Sequence, residues 1–146
     1  MSLAAPIPAV EARTAAEHAR DALSRDPRVQ LVYLFGSAAD PGRTEVRDID
    51  LAILTAPALD LAELLRLRAD LVDAMGAPID LVSLNDAPIV LAHEVVDAGR
   101  CLFARSPELE TDFVVRARAR YLDWAPFREE QWRQSGERSN GRHRGA

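Results

Sequence analysis

The sequence predicts an α/β fold: a small mixed sheet of three to four strands, backed by helices on one face. Two observations point to it. Short apolar runs rich in β-branched and aromatic residues (Val29–Phe35, Arg47–Leu54, Ile79–Leu84) alternate with stretches whose apolar residues recur at helical spacing. That alternation is the pattern of helices packed on a sheet. The length of 146 residues fits one domain with a real core, and 48% hydrophobic with 28% charged residues is ordinary for a soluble globular protein.

Taken in order, Met1–Pro8 reads as a flexible lead. From Ala9 to Ser24, Ala12, Ala15, Ala16, Ala19, Ala22 and Leu23 give a helix that packs closely through alanine, with His18 on its wet side. Asp26-Pro27 breaks it. The strand Val29–Phe35 follows and stops at Gly36-Ser37. The excursion from Ala38 to Arg47 contains Asp40-Pro41-Gly42, a turn sequence. A second strand, RDIDLAIL, closes at Thr55–Pro57. Ala58–Met75 is an amphipathic helix with Leu61, Leu64, Leu65, Leu71, Val72 and Met75 on its apolar face. Gly76-Ala77-Pro78 restarts the chain for the strand Ile79–Leu84. Asn85-Asp86 are placed to cap a helix with Pro88 in its first turn and Gly99 past its end. A short strand, Arg100–Ala104, includes Cys101 as a small apolar group. Ser106-Pro107-Glu108 starts a last helix by N-cap, N1 proline and early acid. Leu109, Phe113, Ala117, Tyr121 and Trp124 form its stripe. The domain is expected over residues 1–125, and the arginine-rich residues 126–146 read as a disordered polar tail.

Composition excludes several classes. A net charge of -5 argues against stable nucleic-acid binding, which calls for a basic face. One cysteine rules out an internal disulfide and fits a reducing, cytoplasmic setting. No apolar run reaches membrane-spanning length, and no secretion signal is evident. All 18 basic residues are arginine, so a lysine-dependent phosphate loop is excluded.

The candidate chemistry lies between Leu31 and Leu54. Glycine lets the backbone at Gly36 turn sharply or approach a ligand closely. Backbone N–H groups at a strand-to-helix turn, with the Ser37 hydroxyl beside them, suit a phosphate. On a strand, Asp48 and Asp50 would share a face, roughly 6.6 Å apart along the chain, with Ile49, Leu51 and Ile53 opposite. Two same-facing carboxylates beside a phosphate turn are what Mg²⁺ requires. Asp80 is an isolated acid in the next strand. His93 and Glu94 adjoin, but no second histidine lies at metal-ligand spacing, which argues against zinc.

Gly36-Ser37, ten intervening residues, then Asp48-Ile49-Asp50 resembles the signature of the polymerase-β-like nucleotidyltransferase superfamily, and most of all its minimal nucleotidyltransferases. The IDLVSLNDAP stretch, the Gly99 region and Tyr121-Leu122-Asp123 resemble the antitoxin branch, encoded beside HEPN toxins, a helical ribonuclease family. The resemblance spans Val29 to Asp123. It implies that Asp48 and Asp50 hold two Mg²⁺ ions, that Gly36 and Ser37 hold the β/γ-phosphates of ATP, and that Asp80 joins the metal site and helps activate an acceptor hydroxyl. AMP would pass to a tyrosine of the HEPN toxin, silencing it. With no evident second domain to complete an acceptor cleft, the partner would do so, in a homo- or hetero-oligomer. The chain departs from the family pattern in its loop: Asp40-Pro41 stands where an arginine and glycine are usual, and Arg47 stands in place of a serine. Arg43 or Arg47 could offer the triphosphate a positive charge. Two other readings remain: a catalytically idle antitoxin that works by binding, and a small-molecule nucleotidyltransferase of the aminoglycoside type.

Overall fold

In the computed structural model the described residues are 5–139, with side chains described through 125. The strands are β1 (Ile7–Pro8), β2 (Val29–Phe35), β3 (Glu45–Val46), β4 (Ile49–Thr55), β5 (Ile79–Ser83) and β6 (Arg100–Ala104). The helices are α1 (Ala9–Ser24), α2 (Leu61–Met75), α3 (Ile89–Ala98) and α4 (Pro107–Ser139), with a 3₁₀ turn at Gly36–Ala39. The fold is the expected mixed α/β arrangement. Its main sheet has the order β5-β4-β2-β6, with β4 and β5 parallel and the other pairs antiparallel.

Strand β2 sits at the centre and is apolar on both sides. Val32 and Leu34 pack into one core with Ala12, Ala16 and Leu23 of α1 and Leu71 of α2. Leu31 and Tyr33 face a second core with Ala92 and Val95 of α3 and Ala117 of α4. Helices therefore lie on both faces of the sheet, where the sequence reading put them on one; at the aspartate end the second face stays open, with Asp48 and Asp80 exposed. The physical reason is in β2 itself: a strand apolar on both sides needs cover on both. A bulge between Val29 and Leu31 shifts the register by one residue and resets the alternation, so that Val29 lies in the first core and Leu31 in the second.

Several local readings change for similar reasons. In α2, Leu61 and Leu65 are 69% and 48% exposed, and Leu67 packs on the core instead. Asp60 and Glu63 form a reciprocal capping box at the start of α2. Asn85 caps no helix. Its Oδ1 accepts from the Thr55 backbone N–H at 3.0 Å, and its Nδ2 donates to the Thr55 carbonyl at 2.8 Å, which ties the end of β4 to the chain leaving β5. The lead and the excursion also meet: Ile7 pairs with Val46 and Pro8 with Glu45 in a two-stranded antiparallel ribbon. Residues 1–4 of that lead lie outside the described residues. Helix α4 begins as expected, with the Ser106 Oγ accepting from the Leu109 N–H at 3.3 Å. It then continues through Pro126 to Ser139, where a disordered tail was expected. Polar composition there withholds a core but not a helix, since Glu, Gln and Arg are good helix formers. Residues 140–146, the rest of that tail, lie outside the described residues. No described helix is long and apolar enough to cross a membrane.

Thr55 is a buried polar residue, 4% exposed, and depends on Asn85 for these bonds. Asn85→Ala should therefore destabilise the fold by about 2 kcal/mol, lowering the thermal midpoint by roughly 6 °C. A midpoint within 1 °C of wild type, on the order of the measurement error, would mean that water replaces the amide.

Candidate functional site

The end of β2 and the beginning of β4 are brought together by register. Phe35 pairs with Asp50, so the residue after Phe35, Gly36, lies over the Asp50 side chain. Gly36 has φ +73°, in the left-handed region that favours glycine. A Cβ there would collide with Asp50 Oδ2. The turn and the carboxylate thus occupy one place only because residue 36 has no side chain. The 3₁₀ turn runs from Gly36 to Ala39 and buries Ala38 and Ala39 against the α1 side of the sheet, leaving Ser37 half-buried at its rim. Arg13 of α1 clamps the turn from behind: Nε donates to the Ala38 carbonyl at 3.4 Å and a terminal nitrogen to the Asp40 carbonyl at 3.3 Å.

The three expected aspartates meet at this end of the sheet. Asp50 lies in β4, and its partner in the parallel pairing is Asp80 of β5. Asp48 precedes the strand and is exposed, so strict strand alternation does not govern it. Both Asp50 and Asp80 are on the face that carries α3 and α4, since their neighbours Ala52 and Val82 belong to that core. Burial pushes the Asp50 carboxyl up to about 6, and the charges of Asp48, Asp80 and Glu94 push it the same way. Glu94 comes from α3 and was absent from the predicted site. Only packing of α3 across the sheet brings it near, and no sequence spacing reports that.

The arginines are placed differently from expectation. Arg43 is exposed and its Nε lies 3.9 Å from Asp40 Oδ2, within a turn where the Gly42 N–H also donates to Asp40 Oδ1 at 2.9 Å. Arg47 is exposed immediately before Asp48. Arg68 of α2, which the sequence did not single out, places Nε 3.8 Å from Asp80 Oδ1 and donates to the Ile79 carbonyl at 3.2 Å. A charged residue on a helix's wet side gave no hint of that role. Cys101 is half-buried, and burial followed by Glu110 pushes its thiol up to about 11, so it stays protonated.

Chemically, this is a turn that exposes backbone next to a crowded set of acids. Among the described residues, no three acidic, histidine or cysteine side chains are gathered closely enough to enclose an ion alone. Mg²⁺ is usually held by one or two carboxylates, with water and substrate phosphates filling its other positions. Asp48 and Asp50 beside a phosphate-sized turn fit that donor set. The like-charge repulsion that raises Asp50 is what a bound cation would relieve.

The fold is that of a nucleotidyltransferase, a class of enzyme that uses a nucleotide as its substrate. The sequence profile of "Polymerase beta, Nucleotidyltransferase" matches residues 17–108, and the chain belongs to that family. It is similar to solved structures of minimal nucleotidyltransferase (MNT) antitoxins. One is a complex of tri-AMPylated Shewanella oneidensis HEPN toxin with MNT antitoxin, with 30% identity, a TM-score of 0.70, and coverage of 84% of this chain and 98% of that one. A toxin–antitoxin structure with AMP-PNP gives 31% identity, a TM-score of 0.72 and coverage of 82% and 97%. A MntA–HpeT variant with two aspartates, two positions apart, changed to glutamate gives 30%, 0.71, and 82% and 97%. No curated protein matches the chain.

The raised Asp50 makes a signed prediction for the metal-free protein. Its folded-state value of about 6 exceeds the ordinary 3.8, so the folded state holds this proton more tightly than the unfolded one. Stability from this group is present at low pH and is lost as pH rises from about 4 through about 6. In EDTA, Asp50→Asn should therefore melt higher than wild type at pH 7.5 and lose this part of the pH dependence. Wild type should gain thermal stability on adding Mg²⁺ and nucleotide, and Asp50→Asn should not. A variant that melts lower than wild type at pH 7.5 would contradict the electrostatic account.

Proposed function

We propose that the chain transfers AMP from ATP to a protein hydroxyl, a tyrosine of a cognate HEPN toxin, and acts as that toxin's antitoxin. The carrying observation is the contact of Gly36 with Asp50: a glycine turn suited to phosphate lies on a carboxylate that burial first, and then its acidic neighbours, hold above the usual range. The AMPylated toxin and the AMP-PNP complex among the similar structures support the same reading.

In this reading Gly36 and Ser37 hold the β- and γ-phosphates through backbone N–H groups and the hydroxyl. Asp48 and Asp50 would hold two Mg²⁺ ions, with Asp80 as the third acid of that set. Bound Mg²⁺ would neutralise triphosphate charge and stabilise the attacking and leaving oxygens. Asp80 accepts the hydroxyl proton as the tyrosine oxygen bonds to the α-phosphorus, and the bond from that phosphorus to pyrophosphate breaks. Arg68 orients Asp80 by its pairing at 3.8 Å. Arg43 and Arg47 lie on the exposed side of the loop, where they could meet phosphate charge. Residues 1–125 are taken as the catalytic unit, completed by the toxin, in the cytoplasm.

One observation favours the idle-binding alternative: Asp80 already has Arg68 as a counter-charge, and Arg43 has Asp40. Intact-mass spectrometry separates the two. The toxin encoded by the adjacent gene, incubated with this chain, ATP and Mg²⁺, should gain mass in whole AMP units. Replacing Asp48 and Asp50 together by alanine should slow that gain on the order of 10³-fold or more, since the metal contribution is worth several kcal/mol. Neutralisation by the double variant in an intact complex, with no mass gain from either protein, would make this a binding antitoxin.

A further inference from the structure

At the end of the sheet away from Gly36 and Asp50, a cavity of about 160 Å³ opens between the end of β4, the chain leaving β5, and helices α3 and α4. Leu54, Leu84, Ala92 and Phe113 give it an apolar floor. Its rim carries Asp112, Arg116 and Arg120, which follow one another at one-turn intervals on α4 and so share a face, leaving one positive charge in excess. Neither arginine makes an ion pair or a hydrogen bond among the described residues, although the chain as a whole is acidic at -5. Some other arginines are occupied, Arg28 by Asp26 and Glu63, Arg68 by Asp80, and Arg105 by three backbone carbonyls; what sets Arg116 and Arg120 apart from the remaining exposed arginines is their place on the cavity's rim.

We propose that this cavity is a second ligand site, for a small carboxylate with one ring-sized or branched apolar group. Size and charge each narrow the ligand. An apolar cavity of about 150 Å³ accommodates a benzene ring, so the floor takes one ring or one branched aliphatic group and no more. Two guanidinium forks at the mouth match the planar geometry of a carboxylate. Asp112 offsets one of the two arginine charges; a neutral ligand would leave the other unanswered, and a simple anion would leave the floor empty. The site is separate from the nucleotide site: it is lined by Leu54 near the end of β4, whereas Asp50 lies near its start. Nothing in the proposed transfer reaction uses it.

Calorimetric titration of the full chain with phenylacetate tests this, with benzyl alcohol and acetate as the two half-ligands. Phenylacetate is expected to bind at least about tenfold more tightly than either half-ligand, because only it satisfies floor and rim together. The surface double variant Arg116→Gln with Arg120→Gln should weaken phenylacetate at least about tenfold, while nucleotide affinity stays at the wild-type value. As a check on the floor, Ala92→Val should weaken phenylacetate in a chain whose melting remains cooperative. If that variant does not fold, the Phe113 ring signals of the wild-type chain check the floor instead: they should shift on adding phenylacetate, and ring signals that stay unchanged would overturn the proposal. No phenylacetate binding, or binding that the double arginine variant leaves unchanged, would overturn the proposal.

Discussion

The structure depends on one close approach, the Gly36 backbone against the Asp50 carboxylate. It needs three things at once. The β2–β4 register must pair Phe35 with Asp50, the backbone at residue 36 must adopt φ +73°, and residue 36 must lack a side chain. The central pairing is secured by fully buried residues on both strands, among them Val32, Leu34, Leu51 and Ile53. Sliding that register by one residue would carry Asp50 to the opposite face and bury a charge among the α1 and α2 side chains. Hydrophobic burial and site geometry are thus one constraint.

That constraint holds the acids in an arrangement unfavourable for the protein alone. Burial works against the charged form of Asp50, and the charges of Asp48, Asp80 and Glu94 add to it. Arg68 offsets part of it from the α2 side through Asp80. Strain of this kind is expected where a site is organised for a charged ligand rather than for stability. The turn that would face the ligand is correspondingly well braced, by Arg13 behind it and by the Ile7–Val46 ribbon beside it.

The two faces of the sheet divide the labour. On one, small alanines let α1 approach β2 closely, and α2 completes a core without ionisable side chains. On the other, α3 and α4 cover only part of the face. They leave the Asp50 end open at one extremity and a cavity rimmed by Arg116 and Arg120 at the other. Gly99 allows this packing, because a side chain there would press on the Leu34 carbonyl at 2.9 Å and on the last turn of α3. Across the outer edge of the helix pair, His93 stacks on Tyr121 with ring centroids 3.6 Å apart.

By itself the sequence determined the elements and the local chemistry. Helix α1 and strands β2 and β6 fall where periodicity and breakers put them, because those signals act over a few residues. Gly36-Ser37 and the Asp48–Asp50 pair were legible for the same reason: backbone freedom and side-chain chemistry belong to the residues themselves. Tertiary structure decided what faces what. It chose Leu67 over Leu61 and Leu65 for the core, turned Asn85 from a cap into a link to β4, covered the second sheet face, and joined Glu94, Arg68 and Arg13 to the site. These choices depend on contacts between residues far apart in the chain, such as the 25 positions that separate Arg13 from Ala38. No local pattern records such contacts, because burial is a property of the packed chain and not of the stretch that carries the residue.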